Sequence, residues 1–274
     1  MTYEFLLNKI QRSKELDFGV VFDQVIALFK KVYLKGCIML LITMAMAFLV
    51  NIVFTAIGLA PKNDLMTAGI DLDSFFEFWV SNVIYSIPQT ILITTLSTGL
   101  IAGFYKICKQ TDLGEPVVDD YFYFFKKDYF SKMLTLGMIS TGISVLAQLL
   151  FFIPVLYVFV PLSYFAILLF FIPVLYVFVP LSYFAIIFSN NPELSEIEIV
   201  KLSFALGHKK WFLSFGLLFV FGLLGTLGIV LCVFGILLTI SVVYLPIYFI
   251  YKDVFGFDAN TEFGETGVNK KQDY

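Results

Sequence analysis

The chain has 274 residues, is 59% hydrophobic and 14% charged, carries 33 Phe, and has a net charge of −3. Water-soluble domains run nearer about 25% charged, and a mean hydropathy of +0.90 excludes that class in favour of a membrane-embedded chain. The small net charge and the lack of a basic run exclude a phosphate-tracking nucleic-acid surface.

In chain order, residues 1–34 read as a cytoplasmic amphipathic segment, 35–256 as a transmembrane bundle and 257–274 as a polar tail. In the first of these, Phe18, Phe22, Val25 and Phe29 recur at helical spacing. Asp17 stands where an N-cap would, and Lys30 and Lys31 close the stretch. No small-residue cleavage site follows a short apolar run, so the first span is expected to act as its own membrane signal.

Four stretches lack Asp, Glu, Lys and Arg: 36–61, 78–105, 133–192 and 211–251. A crossing helix needs about 20 residues. The first two stretches therefore supply one span each, and the last supplies two, with a break near Leu231–Gly235. The third contains a tandem repeat without a mismatch: LLFFIPVLYVFVPLSYFAI occupies 149–167 and again 168–186. With one copy removed the third stretch also makes two spans, which gives six ancestral spans plus one duplicated transmembrane-length segment.

The lysines test that layout. Lys9, Arg12, Lys14, Lys30, Lys31 and Lys35 precede the first span. Lys106, Lys109, Lys126, Lys127 and Lys132 follow the second, Lys201, Lys209 and Lys210 the fourth, and Lys252, Lys270 and Lys271 the last. Six crossings put all of them on one side, which the positive-inside rule makes the cytoplasm. A seventh crossing would invert everything after the repeat. Breaks are expected at Pro154 and Pro173, since proline removes a helix hydrogen bond. An added transmembrane-length helix is favoured over a lengthened tilted helix or a re-entrant segment, because lipid tolerates little else as exposed backbone.

Two further polar segments read as interfacial helices. VVDDYFYFFKKDYF (117–130) combines aromatics with paired charges, and Ser195 with Glu198 forms a capping box ahead of an Ile197, Val200, Phe204 stripe and His208–Lys209–Lys210–Trp211. Elbows steering the chain into the next span are the plain reading; a platform for lipid or a protein partner is the functional one. Small residues, among them Gly99, Gly103, Gly137, Ser140, Thr141, Ser144, Gly222, Gly225 and Gly228, mark where helices can approach closely.

No catalytic, cofactor or metal residues emerge. His208 is the single histidine, which removes HExxH sites and multi-histidine iron centres. No serine lies in a GxSxG turn, and neither a P-loop nor GxGxxG is present. Asp119, Asp120, Glu193, Glu196 and Glu198 read as helix-capping and solvating carboxylates. Cys37, Cys108 and Cys232 lack metal spacing and read as small hydrophobes. The spans hold uncharged polar residues alone, Asn51, Asn82, Gln89 and Gln148, which argues against an ion-coupled carrier. Pro88, beside Gln89, marks a kink in the second span.

GFYKICKQ (103–110), YFYFFKKDYF (121–130), FFIPVLY (151–157 and 170–176) and NPELSEIEIVKLSFALGHKKWF (191–212) resemble motifs of an uncharacterised bacterial multi-pass family. That family groups YciC-like proteins with the membrane domain found beside some glycerophosphodiesterases. The resemblance spans about residues 95–257, implies a six-span helical bundle with FFIPVLY present once, and brings no catalytic residues. The expectation is an all-α polytopic bundle of a bacterial cytoplasmic membrane, without cofactor. It would bind lipid or a protein partner at its cytoplasmic face; the alternative is a permease for a neutral or amphipathic solute.

Overall fold

The computed structural model describes residues 2–59, 72–157, 174–228 and 233–257, with backbone alone at 72–85, 148–157, 233, 234 and 236. The described chain is helical: α1 (Tyr3–Arg12), α2 (Phe18–Ala56), α3 (Leu72–Leu113), α4 (Lys127–Tyr157), α5 (Val174–Asn190), α6 (Glu196–Lys209), α7 (Trp211–Thr226), α8 (Val233–Thr239) and α9 (Leu245–Phe255). A 3-10 turn at Tyr123–Phe125 leads into α4, and another at Ile240–Tyr244 joins α8 to α9. Among the described residues Phe18–Ala56, Ser86–Leu113, Lys127–Ala147 and Leu237–Phe255 are long and apolar enough to cross a membrane. The α6–α7 pair makes a fifth if counted as one span bent by 86°.

The N-terminal amphipathic stretch is not a separate surface helix. Asp17 does cap it, accepting from the Val20 N–H at 3.0 Å, but the helix then runs 39 residues without interruption. At 1.5 Å per residue that is about 58 Å, roughly twice a bilayer's hydrocarbon core of ~30 Å. Only its uncharged part, from Gly36 on, fits inside. The buried face is Val21, Val25, Leu28, Val32, Gly36 and Met39; of the expected Phe18, Phe22, Val25 and Phe29 stripe, Val25 lies in it, Phe22 and Phe29 are half-buried and Phe18 is exposed.

Residues 117–130 form no separate interfacial helix either: 123–125 make a single 3-10 turn and 127–130 already belong to α4. They fold as an aromatic knot: Tyr121 and Phe124 are buried, and Phe124 packs on Phe188 with ring centroids 5.0 Å apart. Lys106 sits over the Tyr123 ring at 3.0 Å, adding a cation–π contact. Gly103 permits this knot. A Cβ there would come within 2.6 Å of the Tyr121 carbonyl oxygen, so the small-residue spacing of Gly99 and Gly103 serves the connecting loop as well as the Met133 side of α4. Gly137 makes the direct helix–helix approach, its face closed by Thr95 of α3.

The backbone of α4 is helical through Pro154, so the break expected there is absent; Pro173 and the junction of the two copies lie outside the described residues. Pro88 stands inside α3, and the adjoining Gln89 is buried with no partner for its Oε1. The core centres on α9, of which Leu245 to Tyr251, Val254 and Phe255 are all buried.

Candidate functional site

The lysine-rich segments gather at one end of the bundle. Lys9 Nζ donates to the Phe255 carbonyl at 2.6 Å, joining the N-terminal helix to the end of α9. Lys35 pairs with Asp119 at 2.9 Å, and the Tyr121 hydroxyl donates to the Lys35 carbonyl at 3.0 Å. Lys132 Nζ donates to the carbonyls of Pro192 and Leu194 at 2.6 and 2.8 Å. Lys210 Nζ donates to the Lys14 carbonyl. Each contact joins two of the segments that the positive-inside argument assigns to one side.

Lys132 immediately precedes the uncharged stretch 133–192 and Pro192 ends it, so the two ends of that stretch meet. The course of the repeat between them, at 158–173, lies outside the described residues.

At this end Asp112 accepts from the Tyr248 hydroxyl at 2.8 Å and from Lys252 at 2.7 Å, tying the end of α3 to α9. A cleft of about 230 Å³ beside it is lined by Gln24, Lys31 and Phe249. The more open site is the corner between α6 and α7. The capping box starts α6: the Glu198 N–H donates to Ser195 Oγ, and the Ser195 N–H donates to Glu198 Oε2 at 2.9 Å. The bonds that the Ser195 N–H and hydroxyl donate to Glu198 Oε2 hold its carboxyl below its ordinary range. The helix buries Ile199, Leu202, Ser203 and Leu206; of the Ile197, Val200, Phe204 stripe, Ile197 is exposed and Val200 and Phe204 are half-buried.

After Lys210 the chain turns through 86° into α7. Around the turn lies a cleft of about 630 Å³ lined by Ser13, Glu15, Tyr176, His208, Lys209 and Trp211, among others. His208 Nδ1 and the Tyr176 hydroxyl are 2.6 Å apart. Trp211 Nε1 donates to the Tyr176 carbonyl at 3.3 Å, and its ring stacks on Phe215 at 5.0 Å. Lys210 is buried, and its pKa is lowered by desolvation, against the opposing charges of Asp253 and Glu15. Lys209 is exposed and has no hydrogen-bond or ion-pair partner among the described residues. Phe212, 86% exposed, projects beside it.

His208 stood out in the sequence as a lone residue. Its partner Tyr176 did not, because Tyr176 sits in the second repeat copy, in letters shared with Tyr157. The carboxylates singled out at the borders are dispersed: Asp119 on Lys35, Asp120 capping the Phe122 N–H at 3.2 Å, and Glu198 in the capping box. Among the described residues no group of three or more His, Cys, Asp or Glu could hold a metal ion. Cys108 is buried and Cys37 half-buried, both as free thiols; Cys232 lies outside the described residues.

Compared with protein-family models, with curated proteins and with solved structures, the chain matches none.

Proposed function

We propose that this is a multi-pass protein of a bacterial cytoplasmic membrane, of six-span descent and akin to the YciC-like family. On this reading its lysine-rich end faces the cytoplasm and binds anionic lipid headgroups without catalysing a reaction. The observation that carries it is the α6–α7 corner. Lys209, a cation without a hydrogen-bond or ion-pair partner among the described residues, borders a cleft of mixed polar and apolar lining, while Phe212 beside it is exposed and Trp211 carries one polar edge. Lysine heads with aromatic bodies at a helix bend suit the boundary between headgroups and acyl chains.

The test is lipid retention after purification, read by native mass spectrometry in nanodiscs of mixed phosphatidylglycerol and phosphatidylcholine. Wild type should retain phosphatidylglycerol preferentially. Lys209→Glu should cut that preference about fivefold or more, since a lysine near an anionic surface contributes about 1 kcal/mol. His208→Ala should leave expression intact and any activity unchanged. Equal retention of the two lipids by wild type would overturn the reading.

A permease for a neutral or amphipathic solute is the second reading. It is favoured by a cavity in the apolar interior, lined by Thr98, Tyr105, Ser140, Ser144, Phe178 and Tyr244, among others.

A further inference from the structure

That interior cavity has a volume of about 430 Å³ and lies between α3, α4, α5, α7 and the turn before α9. It falls in the usual range of small-molecule pockets, about 300–1,000 Å³. Its walls are mostly apolar: Ile101, Leu181, Phe184, Leu218, Ile240 and Ile247. Among the described residues no Asp, Glu, Lys, Arg or His lines it.

The hydroxyls on its wall fall into two groups. Thr98 donates to the Thr94 carbonyl at 2.8 Å, Ser182 to the Val179 carbonyl at 2.6 Å, and Tyr105 to the Tyr244 carbonyl at 3.1 Å. Those three are satisfied by the protein. Ser140, Ser144 and the Tyr244 hydroxyl have no hydrogen-bond partner among the described residues. Ser140 and Ser144 are four residues apart on α4, so both fall on one face of that helix.

Elsewhere in the bundle a helical hydroxyl bonds its own backbone one turn back, as Thr95, Ser203 and Ser214 do. Thr141 and Ser241, with buried hydroxyls that have no partner, depart from this pattern, and so do the three cavity-wall hydroxyls. Ser140, Ser144 and Tyr244 are half-buried, and hydrocarbon offers their hydroxyls no partner. Three hydroxyls free to bond on the wall of one apolar space suit an occupant that brings oxygen to them.

We infer that the cavity binds one molecule of an uncharged, single-chain amphiphile, such as a monoacylglycerol or a long-chain alcohol. Its oxygen-bearing head meets Ser140, Ser144 and Tyr244, and its chain lies along the apolar walls. The lack of charge on the lining selects against a fatty-acid anion, and a cavity of about 430 Å³ suits one chain better than two. Phe178 lines the cavity and is 54% exposed, so the cavity reaches the protein surface there. The inference is independent of the headgroup reading at the α6–α7 corner and requires no transport.

The test uses the full chain in detergent with three probes: monooleoylglycerol, oleate and hexadecane. Binding is read by native mass spectrometry and by thermal unfolding. Monooleoylglycerol should bind one per chain and raise the unfolding temperature; oleate and hexadecane should bind at least about tenfold more weakly. Ser140→Ala with Ser144→Ala should weaken monooleoylglycerol about tenfold or more, while the ligand-free protein stays as stable as wild type or becomes more so. A structural role for the two serines would instead lower the ligand-free stability, and that result overturns the inference. Ala185→Leu, which narrows the cavity from another helix, serves as the second variant and should also reduce binding. No stabilisation by any probe would show the space to be water-filled, and equal binding of oleate would refute the choice of an uncharged head; either result overturns the proposal.

Discussion

The outer half of α2 and the whole of α9 are both strongly apolar, yet they sit in opposite surroundings. Along α2, Ile38, Leu41, Met44, Phe48, Leu49, Ile52 and Val53 are exposed, and its most apolar window is 11% buried in the protein. The window containing α9 is 56% buried, although its mean hydropathy is lower, 1.4 against 2.6. In water this order would be reversed, since burial follows hydropathy. The inversion shows which helix is solvated by lipid and which by protein. The most apolar helix faces outward, and the one carrying Tyr248, Tyr251 and Lys252 is drawn inward by bonds that lipid cannot make, to Asp112 and Asn191.

The largest expected effect separates these surroundings at matched aromatic residues. Tyr183 is fully buried, and its hydroxyl lies 2.6 Å from Ser214 Oγ. Tyr183→Ala should destabilise by about 3–5 kcal/mol, as large core truncations do. Phe48→Ala, on the exposed side of α2, should change stability by less than about 0.5 kcal/mol. Denaturant unfolding in micelles measures both. Tyr164 holds the same place in the first repeat copy, outside the described residues. Tyr164→Ala should fall short of Tyr183→Ala by more than about 1 kcal/mol, because the second copy runs on directly into buried Ile187, Phe188 and Asn191. Equal effects at the pair would mean that the two copies share equivalent surroundings.

Next in size is the close approach at Gly103. A side chain there meets backbone, the Tyr121 carbonyl at 2.6 Å, not a flexible side chain that can move aside. Gly103→Val should cost about 1–3 kcal/mol. Gly142, in helical backbone with open space around its Cβ position, supplies the contrast: Gly142→Ala should stabilise by up to about 1 kcal/mol. Thermal unfolding of both variants checks the difference in sign.

These sites show what the sequence discloses. The Asp17 cap and the Ser195–Glu198 box were legible because their partners lie within three residues. The uncharged stretches were legible because charge is costly in hydrocarbon, and the lysine asymmetry anticipated the contacts at one end of the bundle. The buried faces of α2 and α6 were less legible. Each helix carries two apolar stripes, one for protein and one for lipid, and periodicity weighs them equally. Ile197 and Ile199 differ in nothing but direction. The knot at 117–130 was also hidden, since its aromatics are held by Gly103 and Phe188, far along the chain. The unpaired serines of the cavity read in the sequence as packing residues, because hydrogen bonding is not a property of spacing.

The α3–α9 latch comes third. Asp112 is the acceptor shared by Tyr248 and Lys252, so its loss strands two donors at once. Asp112→Ala should cost about 1.5–2 kcal/mol, the low end of the range for hydrogen bonds to a charged group. Lys252 is partly exposed and its share is screened by solvent, so Tyr248→Phe should account for much of the loss. A double-mutant cycle between the two positions measures the coupling. A coupling near zero would remove this latch from the account of why α9 lies inside.

The smallest effect is at the start of α6, where the chain leaves α5 to lie along the lysine-rich end. Ser195→Ala removes the N-cap and should cost about 1 kcal/mol. The same box carries a pH dependence. Bonds from the Ser195 N–H and hydroxyl favour the charged form of Glu198 and hold its pKa below the unfolded value. A group depressed in this way contributes stability that is complete above its unfolded pKa and is lost as pH falls through its folded pKa. Acidification should therefore weaken the box in wild type, while Glu198→Gln and Ser195→Ala should lack that part of the acid dependence. Thermal unfolding of the three proteins at neutral and acidic pH measures it. If all three lose stability in parallel, the acid response belongs to other carboxylates and the box fixes the start of α6 by geometry alone.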